Sequence, residues 1–451
     1  MNESAAKQPG HAVSSPVGAV AAVARAAETA TAGVSRAGLI GISVGVVAAG
    51  AAAGVAIERL TVGRTMRRRA QEELDAAAPY GSLRGRPRTV AAPDGTELYV
   101  ELDGPGKPVP VPVPVPAPVD ESRGRRGWFT RWRGEAPVPE SPAAAAPPQL
   151  TVVFCHGYCL SQDSWHFQRA ALREAAREGL RLVFWDQRSH GRSERSRSYL
   201  AGEPAGIDQL GGDLKAVIDA VAPEGPIVLV GHSMGGMTVM ALADQHPELF
   251  RERVAGVALI GTLAGDWNSV TLGLPAVGAR LFRRVAPGVV KLLGRQVELV
   301  EATRRLGADF TSVFYRRFSF GTKDVDPAVA RFAEQLLDAT PIDVVAEFYP
   351  AFGAHDKTAA LATLTGIPTL VLAGTKDLLT PPEHSEAIAR ALPDAELVLV
   401  PDAGHLVMLE CPGLVDQRLA ALLLRAAEHA GAAPPPEPVR ELAEPGQAVD
   451  E

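Results

Sequence analysis

A serine between glycines is the residue of this chain whose surroundings most favour chemistry. Ser233 lies in the stretch GHSMGG at 231–236, which follows an apolar run at 227–230 and precedes a helix-like segment. A short apolar strand, a tight turn of small residues and a helix are the context of a nucleophile elbow, which lifts the serine hydroxyl clear of the sheet. The pattern predicts that Ser233 is a nucleophile. It also predicts that the Met234 backbone N–H points at the group that the Ser233 hydroxyl attacks.

A serine hydroxyl needs a base in contact, and the base needs a carboxylate that fixes its tautomer. His405 fits as the base because it lies in a loop just after the last predicted strand, downstream of the other candidates in the order Ser, Asp, His. Asp377, just past the preceding strand, is the predicted acid, and Asp266 is its competitor because it also follows a strand. Loops at the carboxyl ends of parallel strands share one edge of the sheet, so we expect these side chains to meet there.

The oxyanion of an acyl-transfer intermediate needs two preorganised donors. Met234 N–H is one, and the loop HGYC at 156–159, which follows a predicted strand, supplies the other. Gly157 lets the backbone turn inward, so the Tyr158 N–H is the expected second donor. No metal or organic cofactor is required by this chemistry.

Composition agrees with a globular enzyme. The chain has 451 residues, a net charge of −7, 46% hydrophobic and 22% charged residues. No basic stripe is interleaved with aromatic residues, which argues against nucleic-acid binding. Cys155, Cys159 and Cys411 make a poor disulfide framework and are expected to be free thiols in a reducing compartment, so we expect the catalytic part to be cytoplasmic.

The first 86 residues form a predicted Ala- and Gly-rich region. It contains an uncharged run at 37–57 that is long enough to cross a bilayer. Arginines follow this run, which would place the remainder on the cytoplasmic side of a membrane. An Ala-rich surface helix is the alternative. The sequence predicts a membrane anchor here, and it predicts no protein partner.

Strand and helix signals alternate over 87–264 and again over 361–428, which predicts an α/β fold with a mostly parallel sheet covered on both faces. Three segments interrupt or follow this pattern. A Pro-rich insertion at 104–149 is expected to be a polyproline-like surface loop. Residues 265–360 lose the strand signals and are expected to form an inserted helical cap, and the tail at 429–451 is expected to be disordered.

These features together resemble the α/β-hydrolase fold superfamily over about residues 87–425, and most closely its lid-bearing serine esterases, lipases and haloperoxidase-like members. The motifs that carry the resemblance are HG at 156–157, DQRSHGRS at 186–193, GHSMGG at 231–236, GTKD at 374–377 with PP at 381–382, and GH at 404–405. The resemblance implies a triad of Ser233, Asp377 and His405 and oxyanion donors at Tyr158 and Met234.

The expected reaction is cleavage of carboxylic esters of small or lipid-like apolar substrates through an acyl-enzyme. Phenylalanines within the cap, including Phe310, Phe314, Phe318 and Phe320, predict an apolar slot for an acyl or alkyl chain, although packing of the cap itself explains them equally well. Three alternatives stay open: hydrolysis of carbon–carbon bonds, haloperoxidase-like acyl transfer to peroxide, and a ligand-binding protein that kept the fold without turnover.

Overall fold

A computed structural model describes residues 79–105, 150–275, 277–281, 284–286, 288, 316–322 and 324–444. Its centre is an eight-stranded sheet with the strand order β1-β2-β4-β3-β5-β6-β7-β8. The strands β1 and β2 are antiparallel to their neighbours, and all other pairs are parallel. The strands are β1 (Arg86–Ala91), β2 (Glu97–Asp103), β3 (Thr151–Cys155), β4 (Arg181–Trp185), β5 (Ile227–His232), β6 (Val254–Ile260), β7 (Thr369–Gly374) and β8 (Glu396–Val400).

Two apolar layers cover the sheet, because successive side chains of a strand point to opposite faces. In β3, Val152 and Phe154 belong to the layer on one face, and Val153 and Cys155 to the layer on the other. Most residues of the central strands are fully buried, as expected for parallel strands with helices on both sides. The predicted α/β architecture with a mostly parallel, doubly covered sheet is confirmed.

Helices follow most strands. They are α1 (His166–Ala171), α2 (Arg173–Arg177), α3 (Arg197–Leu200), α4 (Ile207–Val221), α5 (Met234–Gln245), α6 (Pro247–Glu252), α7 (Pro327–Asp338), α8 (Ile342–Ala354), α9 (Pro382–Ala391), α10 (Val407–Glu410), α11 (Pro412–His429) and α12 (Glu437–Ala443). The helices α4 and α5 pack closely, since a Cβ at Gly211 would lie 3.0 Å from the backbone of Ala241.

The described part of the region at 265–360 contains two long helices with different roles. The helix α7 packs in the large apolar layer of the core through Val329 and Phe332. The helix α8 instead packs over α5 through Phe348 and Phe352. The helix α8 therefore packs over the helix that follows Ser233, while α7 extends the core.

Two sequence expectations need correction. The tail is ordered over 429–444: it contains α12, which packs on α11 and buries Val439 completely. Apolar contacts of Val439, Leu442 and Ala443 with the core hold this helix despite the Pro-rich composition that suggests disorder. Phe320 also lies elsewhere than expected, since it is buried in the core layer that contains Leu406 rather than in a slot beside Ser233.

Several expectations lie outside the described residues. They are the apolar run at 37–57, the insertion from 106 to 149, Phe310 and Phe314, and the last residues of the tail from 445. In the described ranges, none of the helices has both the length and the apolar character that a bilayer span requires.

Candidate active site

Ser233 occupies a strained turn between β5 and α5. Its φ of 53° and ψ of −117° are unusual for a residue with a side chain, and such strain is typical of functional turns. The turn needs small neighbours: a Cβ at Gly235 would lie 2.1 Å from the Cys155 carbonyl oxygen, and one at Gly231 would lie 2.5 Å from the Gly235 carbonyl oxygen. The sequence folds this way because only glycine allows the elbow to press against β3.

Asp377 and His405 are in direct contact at the carboxyl ends of β7 and β8. The imidazole Nδ1 donates to Asp377 Oδ2 at 2.8 Å, and both residues are nearly buried. Thr380 completes the arrangement, because its hydroxyl donates to the same Oδ2 at 2.8 Å and its backbone N–H donates to Oδ1 at 2.9 Å. The acid competitor Asp266 is solvent-exposed, and the imidazole pairs with Asp377.

Backbone contacts bring Ser233 to the same edge of the sheet. Its N–H donates to the Ile260 carbonyl at 2.9 Å, and a Cβ at the next residue, Gly261, would lie 3.5 Å from Asp377 Oδ2. His232 donates from Nε2 to the His405 carbonyl at 3.0 Å. In the described residues the Ser233 hydroxyl makes no hydrogen bond to the imidazole, a contact that often tightens only when substrate binds.

The predicted oxyanion loop lies against the elbow. A Cβ at Gly157 would be 3.2 Å from the Ser233 Cβ, so the backbone at 156–158 passes directly beside the serine. Met234 is the first residue of α5 and its N–H has no partner within the helix. None of the hydrogen bonds among the described residues uses the Tyr158 N–H. Both N–H groups are therefore available to a ligand at the elbow.

His156 fixes that loop, a role that the sequence motif does not indicate. Its Nε2 accepts the Gln187 backbone N–H at 2.9 Å, so Nδ1 carries the proton and donates to the Gly157 carbonyl at 2.8 Å. Burial lowers the pKa of His156 to about 3 and keeps the ring neutral. The Gln187 amide in turn donates to the His156 carbonyl and accepts from Thr238 of α5.

An apolar cluster separates the elbow from α8. Met234 and Met237 of α5 pack there with Phe348 and Phe352 of α8, and the partly buried side chains of Tyr158, Trp267 and Leu272 border them. The Tyr158 hydroxyl donates to the carbonyl of Val345. The residue after Ser233, Met234, and the predicted oxyanion residue Tyr158 thus belong to one apolar cluster with α8.

A buried carboxylate fastens α8 to the loop after β4. Glu347 is 2% exposed; it accepts from the Ser189 hydroxyl at 2.8 Å and pairs with Arg195 at 3.0 Å. Burial raises the pKa of Glu347 to about 7. The described residues contain no cluster of three or more His, Cys, Asp or Glu side chains suited to a metal ion.

Comparison with known proteins decides the family. The model of the alpha/beta hydrolase fold family matches residues 151–412, more than half of the chain. The chain belongs to the alpha/beta hydrolase fold family. The matched region of this hydrolase runs from the first residue of β3 into α11 and contains every predicted site residue.

Individual relatives are distant. The sn-1-specific diacylglycerol lipase ABHD11 of Mus musculus is 28% identical over 265 residues, which cover 58% of this chain and 76% of that protein. An esterase from Thermogutta terrifontis has a TM-score of 0.52 at 23% identity, covering 76% of this chain and 99% of the esterase. A bromoperoxidase from Bacillus anthracis has a TM-score of 0.51 at 20% identity, covering 75% and 99%. The solved structures share the fold.

Proposed function

We propose that this hydrolase cleaves carboxylic esters through an acyl-enzyme formed on Ser233. The observation that carries the proposal is the buried hydrogen bond of 2.8 Å between His405 Nδ1 and Asp377 Oδ2, at the sheet edge where the strained Ser233 emerges. This bond commits Nδ1 to the carboxylate. The nitrogen left to exchange a proton with the serine is therefore Nε2.

In the proposed reaction, the Ser233 oxygen attacks the ester carbonyl while His405 Nε2 takes its proton. The backbone N–H groups of Tyr158 and Met234 stabilise the oxyanion; removal of one such donor costs about 3 kcal/mol of transition-state stabilisation. Asp377 stays ionised and steadies the imidazolium. His405 then protonates the departing alcohol. In deacylation a water molecule gives a proton to His405 as it attacks the acyl carbonyl, and His405 returns that proton to Ser233 Oγ as the carboxylic acid leaves.

The apolar cluster between the elbow and α8 supports an apolar acyl or alkyl chain as the substrate group. Among the described residues, Phe348 and Phe352 supply its aromatic surface. Each methylene transferred from water to such surroundings contributes about 0.8 kcal/mol. Esters with several methylenes should therefore be preferred over acetates.

Covalent labelling tests the nucleophile. A fluorophosphonate probe should phosphonylate the wild-type protein and should fail to label Ser233→Ala, because only an activated serine displaces fluoride. Ser269→Ala is the matched control, since this exposed serine contacts the Asp266 carbonyl and His384, and none of its hydrogen bonds among the described residues is to a residue of the proposed triad. Wild-type protein that resists the probe would refute the hydrolase mechanism and favour a ligand-binding role.

A series of p-nitrophenyl esters from acetate to octanoate tests the substrate class. We expect kcat/KM to rise by about threefold to fourfold per methylene until the slot is full. Phe352→Ala should flatten this dependence, whereas Phe332→Ala, which opens the core layer on the other side of the sheet, should lower stability and leave the dependence intact. Rates that do not change with chain length in the wild-type protein would contradict the apolar slot.

A further inference from the structure

One carboxylate outside the triad holds the loop that carries His405. Glu410, the last residue of α10, accepts the backbone N–H of Gly404 at 2.7 Å through Oε2. Its Oε1 accepts the N–H groups of Thr322 at 3.0 Å and Gly321 at 3.1 Å. Gly404 directly precedes His405, and Gly321 and Thr322 belong to the segment at 316–322 that precedes α7. The carboxylate therefore joins two stretches of chain that are far apart in sequence.

These two stretches are packed without spare room. A Cβ at Gly404 would lie 2.5 Å from the Gly321 nitrogen, and one at Gly321 would lie 2.0 Å from the Asp402 carbonyl oxygen. The Leu406 N–H also donates to the Ser319 carbonyl at 2.8 Å. The backbone on both sides of His405 is thus fixed against the segment at 316–322.

A carboxylate is well suited to the position. Among the described residues, the N–H groups of Gly404, Gly321 and Thr322 have Glu410 as their acceptor. Where two backbone segments approach with their N–H groups facing each other, the group between them must accept hydrogen bonds from both sides. An ionised carboxylate does this because both of its oxygens offer lone pairs. An amide in its place would turn an NH₂ group toward one of these donors.

We propose that Glu410 is a positioning residue for His405. It sets the height of the histidine loop above the sheet edge, and so the position of the imidazole relative to Ser233. Asp377 fixes the direction of the ring, and Glu410 fixes the backbone from which the ring projects. The same contacts fasten the segment at 316–322 of the cap region to the loop that carries His405. This inference rests on the proposed function.

The test uses Glu410→Gln and Glu410→Ala in the full chain. With a p-nitrophenyl ester we expect kcat to fall by about tenfold in the glutamine variant and about a hundredfold in the alanine variant, since a small displacement of a catalytic group costs this much. KM should stay within about twofold, because Glu410 does not touch the substrate. Amide hydrogen exchange at Gly404 and Gly321 should accelerate by at least about tenfold in the alanine variant.

Asp416→Asn is the matched control, a change from carboxylate to amide in the adjacent helix α11, where Asp416 pairs with Gln168 at 2.9 Å. It should keep wild-type kcat and wild-type exchange at Gly404. A folded Glu410→Ala protein with wild-type kcat, or one whose kcat/KM falls only through KM, would overturn the inference while the hydrolase mechanism stands. A wild-type protein that the fluorophosphonate probe does not label would refute both, and so separates the two failures.

Discussion

At the level of single residues, one contact supports Asp377 as the acid of the proposed triad. His405 Nδ1 bonds to Asp377, and three further donors from Leu379 and Thr380 hold that carboxylate in place. Asp377→Asn should lower kcat by about 10³–10⁴-fold with little change in fold, because an amide favours the wrong imidazole tautomer. Steady-state kinetics on a p-nitrophenyl ester measures this loss.

Asp266→Asn is the control for that prediction. Asp266 follows β6 and competes with Asp377 on sequence grounds, yet it is solvent-exposed. Its amide variant should keep kcat within about twofold. The reverse result, with Asp266 essential and Asp377 dispensable, would mean that the loops rearrange before catalysis.

The sequence predicts the site residues that their neighbours in the chain mark, and it does not predict the residues that bind backbone groups of distant segments. Ser233 was found from its glycines, and His405 from its place after the last strand. Glu410 and His156 bind main-chain N–H and C=O groups of distant segments, and such partners are a product of tertiary packing. The local sequence around Glu410 and His156 does not indicate these contacts.

At the level of elements, two adjacent glycines of α4 should respond oppositely to the same substitution. A Cβ at Gly211 would lie 3.0 Å from the backbone of α5, whereas one at Gly212 would meet its nearest neighbour, Pro93, at 3.9 Å. Gly212→Ala should raise the free energy of unfolding by about 0.5–1 kcal/mol, because alanine is the better helix former.

Gly211→Ala should instead lower the free energy of unfolding by about 1–3 kcal/mol, because α4 and α5 must separate to admit the methyl group. Urea unfolding followed by circular dichroism measures both changes. Equal effects of the two substitutions would show that α4 and α5 do not pack as closely as described.

Element boundaries were predicted well where burial is uniform and poorly where one contact decides. The strands at 181–185 and 254–260 have the bounds expected from their apolar runs. The helical stretch after β3 is divided at Leu172 into α1 and α2, because the ψ of 1° at Leu172 departs from helical geometry. The sequence does not predict α12, because this short helix buries one residue fully, Val439, and its further apolar contacts through Leu442 and Ala443 form no extended periodic pattern.

At the level of the whole molecule, a buried carboxyl makes stability depend on pH. Asp416 is 8% exposed, and burial raises its pKa from 3.8 to about 7. The folded state therefore holds this proton more tightly than the unfolded state does. Its contribution to stability is complete below the unfolded pKa of 3.8 and is lost as the pH rises through about 7.

Asp416→Asn removes this loss, because the amide stays neutral and its oxygen still accepts from Gln168. The free energy of unfolding of the variant relative to wild type should increase by a few kcal/mol between about pH 4 and about pH 8. Chemical denaturation at these two pH values measures the difference. A constant difference would show that the side chain is hydrated in the folded state.

The contact of His232 with the loop that carries His405 affects the charges at the candidate site. The ring centroids of His232 and His405 lie 4.8 Å apart, and the single N–H of the neutral His232 ring donates to the carbonyl of His405. Burial holds the pKa of His232 well below its usual 6.5, so in the proposed reaction this ring would stay uncharged while His405 gains and loses a proton. In that reaction His232 would hold the backbone of His405 in place through its hydrogen bond. Its neutral ring would neither compete with His405 for the proton nor repel the imidazolium.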